Sequence, residues 1–122
     1  MLLDLHPEPR LNPVSVRTSA VTTRVGALEY SESFIQTIAA ANRSLATLED
    51  ERAFVREQQT EFEVLILVDS VADWRTYLET QAQYYVPPDE AMLQAVSGAL
   101  DREPGEIVMA EWIRATRFRR VG

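Results

Sequence analysis

The chain contains 122 residues, of which 46% are apolar, and its 19 acidic and 12 basic residues give a formal net charge of −7. This length fits one domain, residues 1–122, that buries about two-thirds of the surface of its unfolded chain. The absence of cysteine excludes disulfides, thiolate metal sites and a cysteine nucleophile. The acidic balance disfavours a nucleic-acid partner, and no apolar run reaches the roughly 18 residues that a membrane-spanning helix needs. We therefore expect a soluble, cytoplasmic protein that binds neither nucleic acid nor membrane.

The N-terminal segment holds the single histidine of the sequence, His6, between Asp4 and Glu8. The apolar run at residues 2–5 predicts a strand, and the three prolines in residues 7–13 predict that this strand ends in a loop. In an extended backbone the three polar side chains would point to one side, as a metal site or a general base with its partners requires. Because the prolines interrupt that geometry, the favoured interpretation is a polar loop histidine, and no metal site is predicted.

The next segments show first a strand-like and then a helical pattern. Residues 13–30 alternate β-branched and polar side chains around a turn, which is typical of a two-stranded hairpin ending near Gly26. Residues 31–51 repeat apolar side chains every three or four positions, and Ser33 with Gln36 forms a capping-box signature. This stretch predicts an amphipathic helix.

Two further strands are indicated by apolar alternation. Residues 53–70 alternate along their length, which predicts a strand that is half-exposed in its first half and buried on both faces in its second. Residues 106–120 carry apolar side chains in both phases of the alternation. That pattern is typical of a central strand, so we expect the final strand at the centre of the sheet.

Two helices are predicted between these strands. Ser70, followed at the third position by Asp73, caps the first, and the proline pair at residues 87–88 ends it. One side of this helix is formed by Trp74, Tyr77, Leu78, Gln81 and Tyr85. Asp89 and Glu90 lie in the first turn of the second helix, where acidic side chains complement the helix dipole. Its buried face is formed by Met92, Leu93, Val96 and Leu100.

The order of these elements is strand, hairpin, helix, strand, helix, helix, strand. It predicts a single α+β domain with a mixed, mostly antiparallel sheet of about four to five strands and three helices packed on it. No internal repeat and no Gly- or Ser-rich linker divides the sequence into two domains.

The aromatic side chains Trp74, Tyr77, Tyr84 and Tyr85 admit two interpretations. They line a ligand pocket in which phenol hydroxyls are fixed polar points, or they pack a helix against the sheet. Glu111 raises a similar question, since a carboxylate within an apolar central strand needs a partner or a wet cavity. An ion pair with an arginine of a neighbouring element is the favoured explanation for this carboxylate.

Arginines crowd the C-terminal end of the chain, where they either flank a strand as solvated side chains or receive an anionic group. The candidate ligand-binding residues are therefore His6, Trp74, Tyr77, Tyr84, Tyr85, Glu111 and Arg114. The sequence contains no glycine-rich nucleotide loop, Walker A sequence or nucleophile elbow. No catalytic residue, cofactor or metal is assigned.

Four segments together resemble the C-terminal region of class I S-adenosylmethionine-dependent methyltransferases. They are LLDLHPEPR, the helix from YSESF through AAANRSL, the passage FEVLILVDSVADWRTYL, and the terminal EIVMAEWIRATRFRR. That family binds its methyl donor through the first half of its fold, which has no counterpart here. The resemblance implies a methyltransferase-like region without donor-binding residues, in which residues 7–30 correspond to the substrate-side cover. It also implies that His6 lies at the carboxyl end of the sheet, where ligands of such folds bind.

These observations favour a non-catalytic binding or interaction module that works as a homodimer or beside a donor-binding methyltransferase partner. A small stand-alone enzyme or a small-molecule binder with an aromatic pocket is the alternative, and an inactive remnant is a third possibility. The resemblance implies the homodimer, because the strand at residues 2–5 is interior in the complete methyltransferase-like sheet and would here have an unpaired apolar edge. The aromatic helix around Trp74 and Tyr77 is the second expected contact surface.

Overall fold

Residues 1–121 are described by a computed structural model, in which five strands and three helices follow the order predicted from the sequence. The strands are β1 (Leu2–Pro7), β2 (Asn12–Thr18), β3 (Thr22–Leu28), β4 (Phe54–Val68) and β5 (Gly105–Arg120). The helices are α1 (Glu32–Asp50), α2 (Val71–Thr80) and α3 (Glu90–Arg102). The chain is thus a single α+β domain, as predicted. None of the helices in residues 1–121 combines the length and the apolarity needed to cross a membrane.

The last strand, β5, is the centre of one sheet in which each described pairing is antiparallel. It pairs with β4 along almost its whole length. Residues 113–118 of β5 pair with β1, and residues 105–109 pair with β2. Because β4 already occupies one side of β5 along this length, β1 and β2 both lie on its other side. The proline-containing loop at residues 8–11 separates them, and β3 extends the sheet beyond β2. This arrangement confirms the central position predicted for the final strand.

The main core lies between helices α2 and α3 and one face of the sheet. Met109 of β5 pairs with Val14 of β2, and paired residues of antiparallel strands share a face, so both point toward the helices. The buried residues of this core are Val14, Val16, Leu28, Tyr30, Trp74, Tyr85, Val96, Ile107 and Met109.

The second half of β5 is buried on the opposite face of the sheet. Its buried residues are Thr116 and Phe118, which differ from Met109 by an odd number of positions and therefore point the other way. The guanidinium of Arg56 lies over the Phe118 ring and donates to Glu49 of α1. The end of α1 is therefore joined to the sheet on this second face.

Side-chain caps begin all three described helices. The capping residues are Ser31, Ser70 and Asp89. The prediction for Ser70 is confirmed, whereas the cap of α1 is Ser31 and not Ser33, because the Ser31 side chain accepts the backbone N–H of Phe34. Asp89 is the cap of α3 and lies just before its first turn.

The prediction that the second half of β4 is buried on both faces is wrong. Leu65 and Leu67 on one face are 46% and 49% exposed, and Phe62 and Val64 on the other are also exposed. The reason is that β4 has a neighbouring strand on one side only, while α2 and α3 reach no further along it than Ile66 and Val68. A run of apolar residues in a sequence does not show whether helices cover the strand or whether it is an edge strand with solvent-exposed apolar side chains.

Candidate functional site

All four tyrosines of the chain line one pocket beside the middle of β5. Tyr30 follows β3, Tyr77 lies on α2, and Tyr84 and Tyr85 lie in the loop after α2. The Phe34 ring of α1 has its centroid 5.1 Å from that of Tyr30 and 4.8 Å from that of Tyr84. Tyr85 stacks on Tyr30 with a centroid separation of 5.5 Å. Aromatic pairs with this spacing stabilise a cluster beyond the effect of area burial alone.

Hydrogen bonds between the loop at Tyr30 and Ser31 and the loop at residues 83–85 hold these rings in place. Tyr30 and Tyr85 form an isolated antiparallel bridge. The N–H of Ser31 donates to the carbonyl of Tyr84, and the Ser31 hydroxyl donates to the carbonyl of Gln83, both over 2.7 Å. Helix α2 ends at Thr80, before the proline pair, and turns follow at residues 81–84. The prediction that Tyr85 lies on the face of that helix is therefore wrong.

The rings surround a cavity of about 180 Å³, whose remaining walls are Pro7, Gln81 and Glu111. A cavity of about 150 Å³ holds a benzene molecule, so this one has room for a ligand with a single small ring. A larger cleft of about 260 Å³ adjoins it between α2 and α3. The charged side chains that line this cleft, Arg75 and Glu79, are exposed on the surface of α2.

Glu111 brings a carboxylate from β5 into the cavity without a cationic partner. Within residues 1–121 it forms no ion pair. Arg114 lies three positions along the same strand, points to the opposite face, and binds Glu8 there. Partial burial raises the pKa of the Glu111 carboxyl. The predicted ion pair is therefore wrong, and Glu111 faces a cavity instead.

Two buried polar side chains lie close to each other near this carboxylate. The Tyr30 hydroxyl and both side-chain polar atoms of Asn12, a residue only 1% exposed, are enclosed by the protein and form no hydrogen bond of standard geometry within residues 1–121. Burial and the nearby Glu111 carboxylate raise the pKa of Tyr30, while a hydrogen-bonding interaction with the Asn12 side chain opposes that rise. Burial and Glu111 also raise the pKa of Tyr77. Because the polar atoms of Tyr30 and Asn12 are enclosed, the charged group that the cavity presents to a ligand is the Glu111 carboxylate.

Trp74 belongs to the core and not to the pocket. Its side chain is fully buried, and its indole N–H donates to the sulfur of Met109 over 3.0 Å. The packing interpretation therefore applies to Trp74, while Tyr77, Tyr84 and Tyr85 line the cavity. Since Trp74 is covered, it is not available as the contact surface of a dimer.

His6 and Arg114 lie on the other face of β5 and are separated from the pocket. They are paired residues in the β1–β5 ladder, and Nδ1 of His6 contacts the Asp4 carboxylate. Arg114 donates two hydrogen bonds to Glu8, of 2.6 and 3.0 Å. The loop assignment for His6 is wrong, because proline is tolerated in an edge strand and β1 continues through Pro7.

Tyr30 and Phe34 line the pocket but are not predicted from the sequence as members of the site. These residues precede the predicted aromatic set by forty or more positions, and a single bridge brings Tyr30 to Tyr85. No periodic pattern connects them. Within residues 1–121, no group of three or more acidic or histidine side chains is arranged to hold a metal ion.

No protein-family model, curated protein or solved structure matches this chain. The resemblance to the methyltransferase C-terminal region, and the donor-binding partner that it implies, therefore stay predictions.

Proposed function

We propose that the protein is a small-molecule binding module whose ligand occupies the tyrosine-lined pocket. The observation that carries this proposal is that the Glu111 carboxylate, which has no ionic partner within residues 1–121, lines a cavity walled by aromatic rings. Ligand sites are typically concave and mostly apolar, with a few polar groups that fix the orientation of the ligand. This pocket has that composition, and its walls come from both the sheet and the helical layer.

A pair of tryptophan substitutions tests the proposal. Gln81 lines the cavity, whereas Gln83 is exposed two positions further along the same segment. Gln81→Trp should fill the cavity, and Gln83→Trp adds the same side chain outside it. A library of single-ring compounds screened by ligand-observed NMR should show binding to the wild type and to Gln83→Trp but not to Gln81→Trp. Absence of any hit, or equal hits on all three proteins, would reject the pocket as a ligand site.

Exposed β4 supports a second role, as an interaction surface for another copy of the chain. This strand is 15 residues long, contains no proline, and has exposed apolar side chains on both faces at Phe62, Val64, Leu65 and Leu67. Long, apolar edge strands without protection pair readily with other strands. We therefore place the contact of the expected homodimer at β4, although Leu3 and Leu5 of β1 are also exposed.

The distribution of charge along β4 is compatible with self-pairing. If two copies pair in antiparallel fashion about a two-fold axis at Val64, Phe62 of one copy lies opposite Ile66 of the other. In the same register, Glu61 and Glu63 lie opposite leucines and not opposite carboxylates. Cross-strand pairs of like charge are destabilising, so this register avoids the main obstacle to association.

Sedimentation equilibrium of two matched variants tests the β4 contact. Val64→Glu would place two carboxylates opposite each other at the axis, whereas Leu5→Glu adds the same charge on exposed β1. We expect the wild type and Leu5→Glu to dimerise at micromolar concentration and Val64→Glu to remain monomeric. A monomeric wild type, or a dimer disrupted by Leu5→Glu and not by Val64→Glu, would contradict this assignment.

A further inference from the structure

The carboxylate of Glu111 is the charge in the pocket that a ligand would have to balance. The arginines that follow it along β5 are engaged elsewhere, since Arg114 binds Glu8 on the opposite face and Arg117 binds Glu57. Removing a carboxylate partly from water without supplying a cation or hydrogen-bond donors costs free energy. A cationic ligand would lower this desolvation cost, whereas an anionic ligand would add electrostatic repulsion.

The aromatic rings that line the pocket also favour a cationic ligand. The same cavity is lined by Tyr30, Tyr77, Tyr84, Tyr85 and Phe34, and the negative face of an aromatic ring attracts a cation. The net charge of −7 also raises the local concentration of cations around the protein.

The Glu111 carboxylate itself indicates what kind of cation fits. It lines the cavity and has no ionic partner within residues 1–121, so a ligand in the cavity meets its oxygen atoms. A quaternary ammonium has no N–H and cannot donate a hydrogen bond to this carboxylate. An ammonium with N–H groups would donate to it, and such charge-assisted hydrogen bonds are the stronger kind.

We propose that the pocket binds a small organic ammonium ion that carries N–H groups on a single ring or short chain, with Glu111 as its counter-ion. This inference rests on the proposed ligand-binding function and specifies its ligand class. The cavity volume of about 180 Å³ sets the limit of one small ring.

Binding of three probes of similar shape, measured by protein-observed NMR at pH 7, tests the ligand class. The probes are benzylammonium, neutral benzyl alcohol, and benzyltrimethylammonium, which is charged but has no N–H. We expect benzylammonium to bind at least about tenfold more tightly than either of the others, as hydrogen bonds to charged groups imply. Glu111→Gln should abolish this preference, and Glu79→Gln, which removes an exposed carboxylate from the neighbouring cleft, should retain it.

The outcomes separate the ligand class from the pocket itself. If benzyl alcohol binds as tightly as benzylammonium, or if Glu111→Gln keeps the preference, the ammonium inference fails while the pocket remains a ligand site. If benzyltrimethylammonium equals or exceeds benzylammonium, the requirement for N–H groups fails. If none of the three probes shifts the spectrum, the ammonium inference is overturned, whereas the proposed function is overturned only if the library of single-ring compounds also gives no hit.

Discussion

The indole N–H of Trp74 in α2 donates to the sulfur of Met109 in β5 over 3.0 Å, and both side chains are fully buried. This contact joins the helix that carries Tyr77 to the central strand that carries Glu111. Trp74→Ala should therefore lower the free energy of unfolding by about 3–5 kcal/mol in urea denaturation, since it leaves a large cavity. Trp74→Phe keeps most of the volume and should cost clearly less. Equal stability of Trp74→Ala and wild type would mean that α2 does not pack here.

The ion pair between Arg114 and Glu8 should contribute more than other ion pairs of the protein. It has two hydrogen bonds, and the Glu8 side chain is only 10% exposed. A double-mutant cycle with Glu8→Gln and Arg114→Met should give a coupling energy of about 1–3 kcal/mol.

The exposed pair of Arg10 and Glu61, separated by 3.7 Å, is the control for that cycle. Exposed ion pairs typically contribute about 0.2–1 kcal/mol, so its coupling should be smaller. Equal coupling energies for the two pairs would show that burial of Glu8 has no energetic consequence.

Substitution of alanine at two glycines should change the stability of the protein in opposite directions. A Cβ at Gly98 in α3 would meet no atom within 4 Å, so Gly98→Ala should stabilise the protein by about 0.5–1 kcal/mol through helix propensity. A Cβ at Gly105 would overlap the backbone carbonyl oxygen of Arg17 in the paired strand. Gly105→Ala should therefore destabilise it by about 1–3 kcal/mol. Thermal unfolding of both variants checks these signs, and a destabilising Gly98→Ala would contradict the placement of α3.

Glu111 should make the unliganded protein less stable as the pH rises. Burial raises the pKa of this carboxyl above its ordinary value of 4.5, so between 4.5 and the raised value the folded protein holds a proton that the unfolded chain has lost. The stabilisation is complete below 4.5 and is lost as the pH passes through the folded pKa.

Comparison with the Glu111→Gln variant separates the pH dependence of stability that is due to Glu111 from that due to other carboxylates. The free energy of unfolding of this variant, relative to wild type, should increase between about pH 4 and pH 8. The titratable groups coupled to Glu111 are Tyr30 and Tyr77, whose pKa values burial and Glu111 raise, so they stay neutral in this range. A constant difference across the range would show that the carboxyl is not desolvated in the folded protein.

The predictable parts of this fold are those determined by local chemistry. Ser70 and Asp89 mark helix starts because a cap needs only its own side chain and the next turn. The central strand was identified because β5 has apolar side chains in both alternation phases. The exposure of Leu65 and Leu67 was not predictable, since it depends on where α2 and α3 end relative to the sheet.

Part of the candidate site was also predictable from local chemistry. Tyr77, Tyr84, Tyr85 and Glu111 were identified because a carboxylate in an apolar strand and tyrosines near a helix are unusual by themselves. Tyr30 reaches the site through tertiary pairing, so its local sequence carries no sign of it. His6 and Arg114 were included because of their chemistry, but strand alternation directs them to the opposite face.

The most direct measurement of the central claim uses the four tyrosines themselves. Because all four line the pocket, selective ¹³C labelling of tyrosine rings gives a spectrum in which each ring signal reports on this site. Titration with benzylammonium at pH 7 should shift the ring signals in a saturable way in the wild type and much less in Glu111→Gln. Ring signals that stay unchanged at about 10 mM ligand, roughly ten times a millimolar dissociation constant, would contradict the assignment of this pocket as an ammonium-binding site.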